Sequence, residues 1–170
     1  MSSINTHTFS VIVDNKSGVL SRVVGMFAAR GYNIESLTVA EVDEDKNLSR
    51  ITVMITGTVM VIEQIKAQLE RIVPVRKVVD LNKEGAFVNR ELVLVKVKAK
   101  GERRIESLRI ADIFRARVID SSNQSFVFEL TGTAQKLDAF IKLMNPLGLV
   151  EVSRTGAVAI LRGEKALFKE

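Results

Sequence analysis

Apolar residues recur along this chain with two periods, and the switches between them outline its elements. Residues 8–13, TFSVIV, form a β-branched apolar run followed by the turn-rich DNKSG, which predicts a central strand leading into a loop. From Ser17 onward Leu20, Val23, Val24 and Phe27 recur at helical spacing. A helix of about four turns is expected there, capped by Ser17 and ending near Gly31. NIESLTVAEVDED and, after a polar tip, LSRITVMITG come next; Ile51, Val53 and Ile55 alternate with Arg50, Thr52, Met54 and Thr56, as in an antiparallel hairpin. Ile62, Ile65, Leu69 and Ile72 mark a second amphipathic helix stopped by Pro74, and VRKVVDL reads as a fourth strand.

The βαββαβ order then repeats. RELVLVKVKA is a half-buried strand with Val93, Val95 and Val97 set against Lys96 and Lys98, residues 101–116 form a helix, and VIDSS with SFVFELTG makes a hairpin. Leu137, Phe140, Ile141 and Met144 give the next helix face, ended by Asn145 and Pro146, and LVEVSRTG closes the unit. The fold class is α+β, two ferredoxin-like domains in tandem, 1–82 and 83–170, with the boundary in NKEGAFVN, residues 82–89. The tail from Ala157 shows no clear element. Helices on one face of each sheet leave the other face short of cover and the edges open, so a homodimer is expected.

Composition narrows the chemistry. The 170 residues include no cysteine and one histidine, His7, which excludes disulfides, thiolate metal sites and a cysteine nucleophile and leaves no metal site to expect. No apolar run approaches the roughly 18 residues of a membrane span, and MSSINTHTF has no leader-like pattern, so a cytoplasmic protein without a membrane partner is expected. The net charge of +5 lies wholly in the second half: residues 1–82 carry nine basic and nine acidic side chains, residues 83–170 sixteen and eleven. An acidic partner surface, nucleic acid or an ordinary solvated face are the readings such asymmetry allows.

His7, at a frayed strand start, lacks the setting of a catalytic base, and no phosphate-binding glycine loop or nucleophile elbow is present. No catalytic residues are expected. The acidic run Glu41, Asp43, Glu44 and Asp45 lacks the glycine and terminal glutamate of a calcium loop and reads as a solvated hairpin tip. The richest local pattern is Asp14-Asn15-Lys16-Ser17-Gly18-Val19-Leu20, which joins a strand to a helix N-terminus. Unsatisfied N–H groups and the helix dipole there suit a carboxylate, Gly18 admits close backbone approach, and the Asn15 amide can both donate and accept. Asn33 is expected to enter the second strand beside that turn and add a second amide. The alternative is purely structural: Ser17 caps the helix, Asn15 makes a turn and Gly18 relieves strain.

NKSGVLSRVVGMFAARGYNIESLTVA, followed by LSRITV, resembles the N-terminal ACT domain of the small regulatory subunits of acetolactate synthase, also called acetohydroxyacid synthase. RELVLVKV, IADIFRARVIDSS, LTGTAQKLDAFI and VEVSRTGAVAILRG resemble that family's C-terminal domain, so the likeness covers nearly the whole chain. The resemblance implies a protein with no active site or cofactor of its own that stimulates a large catalytic subunit and confers feedback inhibition by branched-chain amino acids. It also implies thiamine diphosphate, magnesium and FAD in that catalytic subunit, and an effector, typically valine, bound at the ACT dimer interface. Matched residue by residue, the family's effector contacts fall on Asn15, Gly18 and Asn33, with Val19, Leu20 and Ile34 adjoining. Lys16 stands where some relatives carry an acidic residue.

A competing reading is an RNA-binding module, which shares the βαββαβ order and to which the spaced Phe126 and Phe128 would contribute stacking rings. Only 5% of residues are aromatic and the first half is charge-neutral, which favours core packing for both rings.

Overall fold

The computed structural model describes residues 4–167. The first repeat consists of β1 (Asn5–Asp14), α1 (Val19–Ala29), β2 (Ser36–Asp43), β3 (Leu48–Gly57), α2 (Val59–Leu69) and β4 (Val75–Asp80). Its sheet has the order β2-β3-β1-β4 with every neighbouring pair antiparallel. After a single turn, α3 (Leu81–Glu84), the second repeat runs through β5 (Phe87–Lys98), α4 (Glu102–Phe114), β6 (Arg117–Ser121), β7 (Ser125–Gly132), α5 (Ala134–Met144) and β8 (Leu149–Arg154). Its sheet order is β6-β7-β5-β8, with a short additional strand, β9 (Val158–Leu161), paired to β5. Tandem ferredoxin-like βαββαβ units are therefore present as the periodicity predicts.

The physics of each repeat is the same. In the first, Phe9, Val11 and Val13 of β1 and Ile51, Val53 and Ile55 of β3 point to one face, where Val19, Val23 and Phe27 of α1 and Ile62, Ile65 and Leu69 of α2 cover them. In the second, Val93, Val95 and Val97 meet Phe126, Phe128 and Leu130 beneath Leu137, Phe140 and Met144. The ring of Phe128 stands edge-on to Phe140 at 6.2 Å between centroids. Phe126 and Phe128 are both buried, so they form core and not an exposed stacking platform. The second helix of each repeat starts from an equivalent threonine: Thr58 Oγ1 accepts from the Val61 N–H and Thr133 Oγ1 from the Lys136 N–H, each at 3.4 Å.

Three features depart from the pattern reading. The buried stripe of α1 is Val19, Val23 and Phe27, whereas Leu20 and Val24 remain 38% and 36% exposed. This helix carries apolar residues on more of its circumference than one sheet can cover, so spacing alone selects the wrong edge of the stripe. The polar link at residues 82–89 contains the α3 turn and the start of β5. Asp80 caps α3, its carboxylate accepting from the Asn82 N–H at 3.1 Å.

The third concerns the tail. The chain divides into one unit that runs to Asn89 and resumes at Gly156, and a second spanning Arg90–Thr155. Residues 156–167 thus belong with the first repeat. Ala157 N–H donates to Ser36 Oγ at 2.8 Å, Ala159 and Leu161 pack on Val79 and Leu81, and Lys77 Nζ donates to the Leu167 carbonyl at 3.1 Å. Pairing of Ser10 with both Thr52 and Val79 places these side chains on the sheet face opposite the helices. That face is thereby crossed by the tail, and Thr8, Ser10 and Thr52 on it are buried. β9 is too short, with only Ala159 and Leu161 facing inward, for its periodicity to register in the sequence.

Candidate functional site

The turn from β1 into α1 is held from three directions. Asp14 N–H donates to the Pro74 carbonyl at 2.9 Å and Asn15 N–H to the Asn47 carbonyl at 2.8 Å, while Lys16 N–H closes back on the Asp14 carbonyl at 2.9 Å. The Asp14 carboxylate accepts from Arg76 Nε at 2.6 Å and from Lys16 Nζ at 3.2 Å. The Arg76 hydrogen bond, with Lys16 adding to it, holds the Asp14 carboxyl below the usual carboxylate range, and Arg76 is raised in return.

Gly18, not Ser17, occupies the N-cap of α1. Its φ of 82° is left-handed, no side chain caps the helix, and a Cβ built on Gly18 would meet nothing within 4 Å. The first turn therefore presents backbone donors and the positive end of the helix dipole to open space, which is chemistry suited to a carboxylate. Asn15, Gly18 and Leu20 are exposed around it. Val19 is buried in the first core, and its N–H donates to the Lys16 carbonyl at 3.3 Å.

Asn33 lies elsewhere. Tyr32 N–H donates to the Phe27 carbonyl at 3.1 Å and Glu35 N–H to the Met54 carbonyl at 3.0 Å, which fixes Asn33 at the end of the sheet where β2 begins. Asp14 pairs with Leu48, whereas Ser36 pairs with Met54. The run of β3 between those two rungs spans about 20 Å. Asn33 and the β1–α1 turn thus stand at opposite ends of one sheet, and the expectation that Asn33 enters β2 beside the turn is corrected by topology. A helix that starts where β1 ends must carry the chain back before a strand parallel to β1 can begin. Ile34 is partly buried against the first core next to Asn33, whose Nδ2 donates to Glu35 Oε1 at 3.1 Å.

Other residues singled out by type have structural surroundings. His7 lies within β1 with Nδ1 at 2.8 Å from Oδ2 of the buried Asp80, so it is neither frayed nor free. That pairing joins positions 73 residues apart, and no local pattern could have found it. Asp43 Oδ1 accepts from the Lys46 N–H at 2.9 Å and shapes the acidic hairpin tip. Among the described residues no group of three His, Cys, Asp or Glu side chains is placed to hold a metal ion, and no helix is long and apolar enough to cross a membrane.

The two βαββαβ repeats define a protein built of tandem ferredoxin-like units. The family model of the acetohydroxyacid synthase small-subunit-like ACT domain matches residues 9–77, and that of the small subunit of acetolactate synthase matches residues 90–163. The chain is 46% identical to a probable acetolactate synthase small subunit of Archaeoglobus fulgidus, over 94% of this chain and 98% of that one. It is 47% identical to the acetolactate synthase small subunit of Haemophilus influenzae, over 94% and 97%. The crystal structure of the acetolactate synthase small subunit from Thermotoga maritima superposes with a TM-score of 0.85 at 38% identity, covering 95% of this chain and 99% of that one. The chain belongs to the acetolactate synthase small-subunit family.

Proposed function

We propose that this protein is the non-catalytic regulatory subunit of a cytoplasmic acetolactate synthase, raising the activity of the large catalytic subunit and making it sensitive to a branched-chain amino acid. In this reading the partner holds thiamine diphosphate, magnesium and FAD and condenses pyruvate with pyruvate or 2-oxobutyrate. This chain supplies the sensor. Residues 1–82, completed by the tail, form the effector-binding and dimerising part, and the rest forms the family's C-terminal domain.

The observation that carries the sensor assignment is the separation of the two amide clusters. One copy cannot bring Asn33 to Asn15 and Gly18, but two copies related by a two-fold axis can, because antiparallel pairing along an edge sets the start of one β2 against the far end of the other. β2 is an edge strand, and its Val39 and Val42 are 41% and 49% exposed. Leu20 and Val24 add further exposed apolar surface on α1. A homodimer built on these elements creates two equivalent sites, each with the β1–α1 turn of one copy and Asn33 with Ile34 of the other. Valine fits such a site: its carboxylate suits the helix N-terminus, and its small branched side chain suits the adjoining Leu20 and Ile34.

The test is Gly18→Asp in the complex with the catalytic subunit. Its side chain projects into the open space over the turn and sets a second negative charge against the effector carboxylate. Aspartate is among the residues that tolerate left-handed backbone, so the strain at φ 82° is about 1–2 kcal/mol and folding survives. Valine titration of acetolactate formation is expected to show inhibition lost. A folded Gly18→Asp protein still inhibited at the wild-type valine concentration means the site lies elsewhere.

A further inference from the structure

We propose that Glu35 makes the site specific for an amino acid, and against a carboxylic acid of the same side chain, by fixing which end of the Asn33 amide faces the ligand. The inference rests on the reading above, in which an aliphatic amino acid binds between Asn33 of one copy and the β1–α1 turn of another. A carboxamide presents an acceptor at Oδ1 and donors at Nδ2, and the two ends differ little in shape, so an unrestrained asparagine serves an ammonium or a carboxylate equally. Here the choice is made by a neighbour. Glu35 Oε1 accepts from Asn33 Nδ2 at 3.1 Å, and an ionised carboxylate can only accept, so Nδ2 is the end it retains. Oδ1 is left to receive N–H donors from the ligand.

The backbone on both sides of this pair is anchored. Glu35 N–H is bonded to the Met54 carbonyl at 3.0 Å, and Tyr32 N–H to the Phe27 carbonyl at 3.1 Å. The Tyr32 hydroxyl donates to Gln64 Oε1 at 3.3 Å. The uncapped turn of α1 favours an anion at the other half of the site. The two halves therefore impose one ligand direction: carboxylate on the Gly18 turn, ammonium on Oδ1 of Asn33. Glu35 acts through Asn33 and is a positioning residue.

The experiment is calorimetric titration of the full-length protein with L-valine and with 3-methylbutanoate, which keeps the side chain and carboxylate but has no ammonium. Wild type is expected to prefer valine strongly. Glu35→Ala is expected to weaken valine about tenfold and to leave 3-methylbutanoate within about twofold. Glu35→Gln, whose Nε2 can donate to Oδ1 as readily as its Oε1 accepts from Nδ2, no longer fixes the amide and should weaken valine about as much as Glu35→Ala. In an Asn33→Ala background, Glu35→Ala should add no more than about twofold, the non-additivity of two residues acting as a unit. Unchanged valine affinity in Glu35→Ala, equal losses for both ligands, wild-type valine affinity in Glu35→Gln, or full additivity with Asn33→Ala would each overturn the role of Glu35. Failure of wild type to bind valine at all would instead remove the effector site beneath it.

Discussion

Asp14 gathers more interactions than any other residue of the β1–α1 turn. Arg76 reaches it from β4, the strand on the far side of β1, and Lys16 from two positions along the chain. Because the Arg76 hydrogen bond holds its carboxyl below the usual carboxylate range, ionised Asp14 stabilises the folded state above the unfolded carboxyl range, and that contribution disappears as pH falls through the folded value. Arg76→Met is therefore expected to be less stable than wild type at neutral pH, with the two curves of unfolding midpoint against pH converging in acid. Parallel curves down to the lowest pH would show that Arg76 acts through packing. Asn33→Ala is expected to weaken valine binding by about 1.5–3 kcal/mol, the worth of a hydrogen bond to a charged group, which calorimetry reads directly. Asn15, Gly18 and Asn33 are legible in the sequence by type and by neighbours. What a string of letters cannot convey is that a helix and a strand set Asn33 at the other end of the sheet from the other two.

Among the elements, the tail is the one whose role is least evident from its own residues. A Cβ on Gly156 would stand 2.7 Å from the Leu37 carbonyl oxygen and 2.5 Å from Thr38 Oγ1, so the tail approaches β2 where only glycine fits. Gly156→Ala is expected to cost about 1–3 kcal/mol, seen as a lower denaturant midpoint. Leu161 is 7% exposed beside Val79 and Leu81. Its replacement by alanine should cost about 2–4 kcal/mol by removing cover from the sheet face that carries Ser10 and Thr52. If Leu161→Ala unfolds at the wild-type midpoint, the tail does not contribute to the core. α1 shows the complementary case: Leu20 and Val24 read as core in isolation, and their exposure follows from which edge of the apolar arc the sheet happens to face.

For the whole molecule, the uncovered surface of the first unit differs from that deduced from layers alone. The face opposite the helices is crossed by residues 156–167, so the proposed pairing falls to the β2 edge and the outer side of α1, where Leu20, Val24, Val39 and Val42 are exposed. Replacing both Val39 and Val42 with aspartate puts two charges per copy on that edge and opposes the two-fold pairing by like-charge repulsion. Sedimentation at micromolar concentration should show a monomer where a dimer is expected for wild type, and valine binding should vanish with it if the site is shared between two copies as proposed. A monomeric double variant that binds valine normally would place the whole effector site within one copy.

The alternation in TFSVIV and ITVMITG, the helical spacings of α1, α2 and α5 and the repetition of that order at residue 90 are enough to specify two ferredoxin-like units, because periodicity in those segments separates an inward from an outward face. Residues 15–34 likewise carry their turn chemistry locally, in Asn15, Gly18 and Asn33. Tertiary structure decided the rest: that Gly18 rather than Ser17 begins α1, that Asn33 and Gly18 face opposite ends, that His7 meets Asp80, and that the last segment returns to the first unit. Each of these depends on residues brought together across the sheet or on the path the backbone must take between elements. Periodicity reports only how one segment divides itself between inside and outside, and it holds no record of which distant segment supplies the inside.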